Sequence, residues 1–267
     1  MEKDKQYYET QASESEFLDW YKKQDLPNYE KPSVTVDMIM IRWNPDIQCP
    51  QFLAIKRKNN PFRNKLALPG GFINPEESSE DAVLREVKEE TGLSLSRNDI
   101  EQLKTVTTPN RDPRGWTITV AYLVFIPFYS SQVAVAGDDA SEIVWVNARS
   151  TNAFDTDPFE YEFSYGENDI ITESEFAFDH YDIIQDGFLR IANKLNYLPN
   201  ILDILPKPFT LKTARLLFRE LDYSGHQKMD NSNFYKMYGK FLMEIGIQEH
   251  DGAGRPAKTF EYVPYYK

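Results

Sequence analysis

Between Gly71 and Leu93 the chain reads GFINPEESSEDAVLREVKEETGL, and this stretch decides the fold. It predicts a helix from about Glu77 to Glu90 that stops at Thr91-Gly92, where glycine supplies the C-terminal signal. On an ideal helix with Val83 at 0°, Glu86 falls near about −60°, Glu90 near about −20° and Glu89 near about −120°. Val83, Val87 and Leu84 fill the adjoining apolar arc, so one side packs and the next is a strip of carboxylates. Like charges at i,i+4 repel by a few tenths of a kcal/mol, roughly. A hard divalent cation reverses that sign, and Mg²⁺ takes oxygen ligands while bridging phosphates. A solvated acidic face is the plain alternative. Two neighbours argue for chemistry: the Gly70-Gly71 turn, whose backbone can approach a phosphate closely, and Arg85, which the upstream Glu77 can hold in place.

Working outward, residues 34–41 (VTVDMIMI) read as a buried strand, Asn44-Pro45-Asp46 as a turn and residues 52–57 (FLAIKR) as a second strand. Strands are expected near 101–108, 115–128 and 142–147, with an acidic, aromatic loop over 148–174. Ile184, Phe188, Ile191 and Leu195 form one apolar stripe, which predicts a helix from about Asp179 to Asn196. Strands, helix, strands and helix make an α/β sandwich. After Pro206 and Pro208, Thr210 caps a helix through Leu221. A further helix starts at Asn231, with Phe234, Met237, Phe241, Leu242 and Ile245 on one side and Gly246 at its end. A strand, a turn at Asp251-Gly252-Ala253-Gly254 and a strand close the chain, which is a winged-helix pattern. The expected domains are an extension over 1–30 with a short helix presenting Phe17, Trp20 and Tyr21, a sandwich over 31–198 and a winged helix over 199–267.

Composition narrows the function. The chain has 267 residues, 41% hydrophobic and 14% aromatic, enough for a packed core. One cysteine excludes a disulfide scaffold and a cysteine-built zinc site, and fits a reducing, cytoplasmic setting. No apolar run suits a membrane span, and the polar start MEKDKQYYETQ carries no secretory h-region. The net charge of −12 argues against a general phosphate-backbone binder. Its distribution is uneven: residues 201–267 hold 10 basic and 8 acidic residues, a net of +2, and the remaining 20 and 34 leave −14.

The segment matches the Nudix box at nine defining positions: Gly71, Glu77, Arg85, Glu86, Val87, Glu89, Glu90, Gly92 and Leu93. The resemblance implies a Nudix α/β/α sandwich and Mg²⁺-dependent cleavage of a nucleoside diphosphate linked to another moiety, with Mn²⁺ able to substitute. It implies Glu86 and Glu90 as metal ligands, Glu89 as their assistant, Gly71 as a carbonyl donor and Glu77 as the orienter of Arg85. The general base is open among Asp138, Asp139 and Glu142. Over about residues 30–267 the chain resembles Nudix-related transcription regulators, through SVTVDMIMI, ALPGGF, RDPRGWTITVAYL, FAFDHYDII and GRPAKTFEY. That resemblance implies an ADP-ribose-like ligand, duplex DNA as a second partner and a homodimer; in many such regulators the box is degraded, and here it is intact.

Arg57, Arg111 and Arg114, with Gly70 and Gly71, are the candidates for ligand phosphates or ribose, since guanidinium matches phosphate oxygens bidentately. For Trp116 and Phe72, core packing is favoured over base stacking. His180 reads as a satisfied structural residue. A DNA reader would use Asn231, Asn233, Lys236 and Lys240 on the last helix and Arg255 at the wing tip; a packing or dimerisation module is the alternative.

Overall fold

The computed structural model describes residues 4–25, 29–128, 140–151, 161–166, 169–221, 229–248 and 256–264. Contacts divide the chain into Met1–Pro32 and Ser33–Lys267. The first unit is a pair of helices, α1 (Lys5–Thr10) and α2 (Glu14–Tyr21), of which only the second is expected from sequence. Ser13 caps α2 in a reciprocal box with Glu16, and Tyr8 stacks on Trp20 at 4.9 Å. Neither helix has a buried residue.

The second unit is built on a large sheet. Its strands are β1 (Ser33–Asn44), β2 (Cys49–Arg57), β3 (Leu66–Ala67), β4 (Gly70–Phe72), β5 (Ile100–Val106), β6 (Thr117–Phe125), β7 (Ala140–Ser150), β8 (Tyr161–Tyr165) and β9 (Asp169–Ile171). The order is β5-β6-β1-β2-β7-β8-β9, with β3 on β2 and β4 on β1. β1 and β6 run parallel, and most other pairs are antiparallel. β1 sends alternate residues to two cores, which is why it reads as an unbroken apolar run. Met38 and Met40 face α3 (Ser79–Thr91) with Val83 and Val87, while Ile39 and Ile41 face α4 (His180–Lys194) with Ile184 and Phe188. The layers are therefore α/β/α.

Ser78 caps α3, and Gly92 ends it at φ +73°. The expected loop over 148–174 contains the end of β7, β8 and β9. Tyr161 and Phe163 are buried and alternate with exposed Glu162, and the acidic surroundings hid that period of two.

After Pro208 come β10 (Phe209–Thr210), α5 (Leu211–Leu221), α6 (Asn231–Tyr238), β11 (Leu242–Gln248) and β12 (Ala257–Tyr262), with a second sheet in the order β10-β12-β11. The helix expected to reach Gly246 ends at Tyr238. A 3-10 turn follows at Gly239–Phe241, and Leu242 and Ile245 belong to β11, which pairs with β12. Gly246 marks a register shift rather than a helix stop. The turn residues Asp251 to Gly254, and Arg255, lie outside the described residues. Leu217, Phe218, Phe234 and Phe260 continue the core of Ile39 and Phe188, so the packing crosses the expected boundary at 198/199 without a gap. Among the described residues no helix is long and apolar enough to cross a membrane.

Candidate active site

A cleft of about 1050 Å³ opens between α3, the β4 turn and the start of α4. Glu86, Glu89, Glu90 and Arg85 line it from α3, and Gly70, Gly71 and Phe72 from β4. Arg57, Arg111 and Arg114 complete the set of expected ligand contacts within the same cleft.

Arg85 is the hub of the box. Its Nε and Nη2 donate to Glu77 at 3.1 and 2.7 Å, Nη1 to Glu86 at 2.7 Å and Glu89 at 3.1 Å, and Nη2 to the Phe72 carbonyl at 3.0 Å. The Arg85 bonds, helped by the Asn74 backbone N–H, hold the Glu77 carboxyl down to about 2. Glu77 thus fixes Arg85, and Arg85 fixes Glu86.

Gly71 is required by close approach. A Cβ there would lie 1.9 Å from Glu86 Oε1, so the bare α-carbon is what lets the Glu86 carboxylate sit over the turn. At Gly70 a Cβ would meet the Val36 carbonyl at 2.2 Å, because β4 pairs tightly with β1. The Glu86 side chain is 13% exposed and that of Glu89 59%. Among the described residues no three His, Cys, Asp or Glu side chains converge as a metal cage. The donors nevertheless suit a hard cation that keeps waters and shares a phosphate: carboxylate oxygens on one cleft wall, with the Glu86 cradle over Gly71.

The arginines differ in use. Arg111 is 4% exposed and spends its guanidinium on Asp179 (2.6 and 3.0 Å) and Asp37 (3.0 Å), so it orders the cleft wall. Arg114 is half exposed and bidentate to Asp112, whose carboxyl it holds low. Arg57 donates Nε to the Pro61 carbonyl at 2.8 Å and lies 5.0 Å from the Phe178 ring centre. His180 is buried. Its Nδ1 accepts the Leu68 N–H at 2.8 Å, Nε2 lies 3.6 Å from Asp37, and burial lowers its pKa.

One expectation is corrected, and one of the open candidates for the general base is placed outside the cleft. Trp116 and Phe72 are not core residues: they are 51% and 55% exposed, and Phe72 lines the cleft. Glu142 lines a separate cavity of about 610 Å³ with Lys56, Arg63 and Lys65, on the other side of β2 from Arg57. Asp138 and Asp139 lie outside the described residues. Asp37, Asp112, Phe178 and Asp179 were missed. Asp37 carried a signal, a carboxylate inside an apolar strand.

On the C-terminal helices Asn231, Asn233, Lys236 and Lys240 are exposed. Asn231 Oδ1 accepts from Arg215 Nη1 at 2.8 Å, and Lys240 Nζ lies 4.8 Å from the Phe241 ring centre.

Residues 32–165 match the NUDIX domain model. The chain is 29% identical over 94% of its length to the ADPR responsive transcriptional repressor NtrR of Acinetobacter baylyi, covering 89% of that protein. It is 39% identical over 64% of its length to the ADP-ribose pyrophosphatase of Methanocaldococcus jannaschii, covering 83% of it. Among solved structures, a MutT/nudix family protein from Enterococcus faecalis superposes with a TM-score of 0.82 at 40% identity, over 96% of both chains. Shewanella oneidensis NrtR complexed with a 27mer DNA superposes at 0.64 and 27% identity, over 86% of this chain and 94% of that one.

Proposed function

The chain belongs to the NUDIX domain family, and from that premise we propose that it hydrolyses an ADP-ribose-like nucleoside diphosphate linked to a second moiety. The observation that carries this reading is the shared cleft: the box carboxylates and four arginines line one cavity large enough for a dinucleotide-sized ligand. Glu86 and Glu90, with Glu89 and the Gly71 carbonyl, would hold a divalent ion, which when bound would supply charge neutralisation of the diphosphate and activation of the attacking water. Mg²⁺ is the proposed ion, and Mn²⁺ substitutes. Arg85 keeps Glu86 in its cradle, and Glu77 keeps Arg85. Arg57 and Arg114 sit at the cleft to meet phosphate or ribose oxygens, while Arg111 stiffens the wall behind them. The pyrophosphatase relative supports ADP-ribose as the first substrate to test.

A second reading is favoured by the C-terminal architecture. We propose that residues 199–267 form a winged helix that binds duplex DNA, with the ligand cleft as its sensor and a homodimer as the binding unit. Two helices against a three-stranded sheet, with polar exposed residues on α6, support it, as do the repressor relative and the structural neighbour bound to DNA.

The test is a panel of nucleoside diphosphate derivatives with Mg²⁺ or Mn²⁺, beside DNA shift assays with and without ADP-ribose. The expected result is turnover of ADP-ribose to AMP and ribose 5-phosphate. No turnover of any member with either ion, at any pH from 6 to 9, removes the enzyme reading and leaves the sensor.

A further inference from the structure

Most of the residues that line the cleft lie outside the box. The chain from Phe176 to His180 runs beside the approach to the Gly70-Gly71 turn and is stitched to it. Leu66 bridges Phe176, the Ala177 N–H donates to the Leu66 carbonyl at 2.7 Å, and the Leu68 N–H donates to His180 Nδ1 at 2.8 Å. Of the three residues that follow Ala177, Phe178 and His180 line the cleft and Asp179 holds Arg111, which does. The Phe178 ring lies 5.0 Å from Arg57 and 5.9 Å from Arg114, and packs on Phe62 at 4.8 Å. Asp179 takes Arg111 bidentately. His180 reaches the strand leading into Gly71.

Phe178 holds φ +54°, a conformation that residues with side chains rarely adopt. Phe62, its ring partner, is also left-handed at φ +61°. Such backbones persist only where the surroundings over-determine them, and they gather at ligand sites. Here the surroundings are clear. Behind the segment, α4 buries Ile183, Ile184 and Phe188, so the tripeptide is mounted on a rigid element.

We propose that Phe178 and His180 are positioning residues for the diphosphate ligand: Phe178 aims Arg57 and Arg114 into the cleft, and His180 sets the Leu68–Gly71 turn beneath Glu86. Asp179 and Arg111 lock the segment between them. A flat ring beneath two guanidinium groups limits their rotamers without consuming their donors. The His180 acceptor satisfies a buried backbone N–H that would otherwise let the turn shift, and a shift there moves Gly71 away from Glu86. The inference rests on the cleft being the ligand site, as proposed above.

The two residues stand two positions apart but act on different steps, and kinetics separates them. With ADP-ribose and Mg²⁺, Phe178→Ala of the full chain should raise KM about tenfold and leave kcat within about threefold, while Phe178→Tyr stays near wild type. His180→Leu should lower kcat about tenfold with little change in KM, and His180→Asn, which keeps an acceptor, should recover most of it. The Mg²⁺ half-saturation should not move in the Phe178 variants. A purely structural role would lower melting temperature and change both parameters together, without rescue by Tyr or Asn. That pattern, or no change in either parameter, overturns the proposal. If the wild type turns over no member of the nucleoside diphosphate panel, the enzyme reading fails separately. Calorimetric titration of methylenebisphosphonate with Mg²⁺ then decides, with about tenfold weaker binding to Phe178→Ala expected and equal binding overturning the inference.

Discussion

The cleft and the α6 surface are both candidate phosphate-binding regions, yet they are built in opposite ways. In the cleft, Arg85, Arg111 and Arg114 are each held by carboxylates, and glycines let backbone and acid groups approach to contact distance. On α6, Lys236 and Asn233 are exposed on a helix of eight residues whose buried side carries only Phe234 and Tyr238. A small ligand with a fixed charge pattern rewards groups ordered before it arrives. A polymer of phosphates rewards mobile cations that displace counterions. Variants in the first region should therefore cause large, position-specific losses, and variants in the second small, graded ones.

The largest effect is expected from removing a box carboxylate. Glu90→Gln should lower metal-dependent hydrolysis on the order of 10³-fold, since the ion contributes several kcal/mol to the transition state, roughly. Fold and apo stability should hold or rise slightly, because a like charge leaves the strip. Steady-state rates with Mg²⁺, beside thermal melts, check both. A variant with full activity would mean that Glu90 is not a ligand.

A neighbouring pair sharpens the comparison. Gly71→Ala drives a methyl against the end of the Glu86 side chain, which can swing away. Activity should fall about tenfold or more while stability changes by less than about 1 kcal/mol. Gly70→Ala instead drives a methyl against the Val36 carbonyl, which the β1 ladder holds. It should destabilise by about 1–3 kcal/mol, as overpacking does. Urea melts that ranked the two in the reverse order would break the account of why two glycines stand there.

This contrast also explains what the sequence made legible. The box lies within one helix and its leading turn, so helical spacing puts Glu86, Glu89 and Glu90 on one strip beside Arg85, and Glu77 reaches Arg85 from the turn before the helix. The opposite wall is drawn from Asp37, Arg111 and Asp179, whose separations of 74 and 68 residues leave no periodic trace. Phe178 carries no such trace either: its left-handed backbone and its place against Arg57 and Arg114 are visible only in the structure. In the C-terminal part the error was of period. Phe241, Leu242 and Ile245 fit a helical stripe, but Gly239 ends the helix and pairing with β12 takes Leu242 and Ile245 into a strand. Only three or four residues of each pattern were available there, too few to separate 3.6 from 2.

For the α6 surface the expected losses are smaller. Lys236→Ala should weaken binding to every duplex sequence about equally and reduce the slope of log affinity against log salt by about 1. Asn233→Ala should instead erode discrimination at one base pair by roughly 1–3 kcal/mol. Asn231 is already engaged by Arg215, so Arg215→Ala should act on the same base pair or phosphate as Asn231→Ala, and the two should not add. If fluorescence titrations at 50 mM salt show no DNA binding by the full chain with or without ADP-ribose, the C-terminal unit is a packing module.

The smallest expected effect separates the regions by pH. Glu77 has its carboxyl held at about 2 by Arg85, against an ordinary value of 4.5. Between those values the unfolded chain binds a proton that the folded chain does not, so the ion pair's contribution is complete above about 4.5 and declines as pH falls toward about 2. Glu77→Gln removes the pair. The stability gap between wild type and this variant should therefore be constant from pH 7 to about 5 and narrow steadily as pH falls further. The gap itself should be modest, because Arg85 is 29% exposed and salt screens part of the interaction. Lys236→Ala on α6 should show no such window, since the substitution takes no carboxylate out of the chain. Denaturant melts of both variants at pH 7, 5, 4 and 3.5 make the comparison. A Glu77→Gln gap that stays flat from pH 7 to 3.5 would show that Arg85 is held by Glu86 and Glu89 rather than by Glu77, and that the cleft is ordered from the carboxylate strip instead of from the turn.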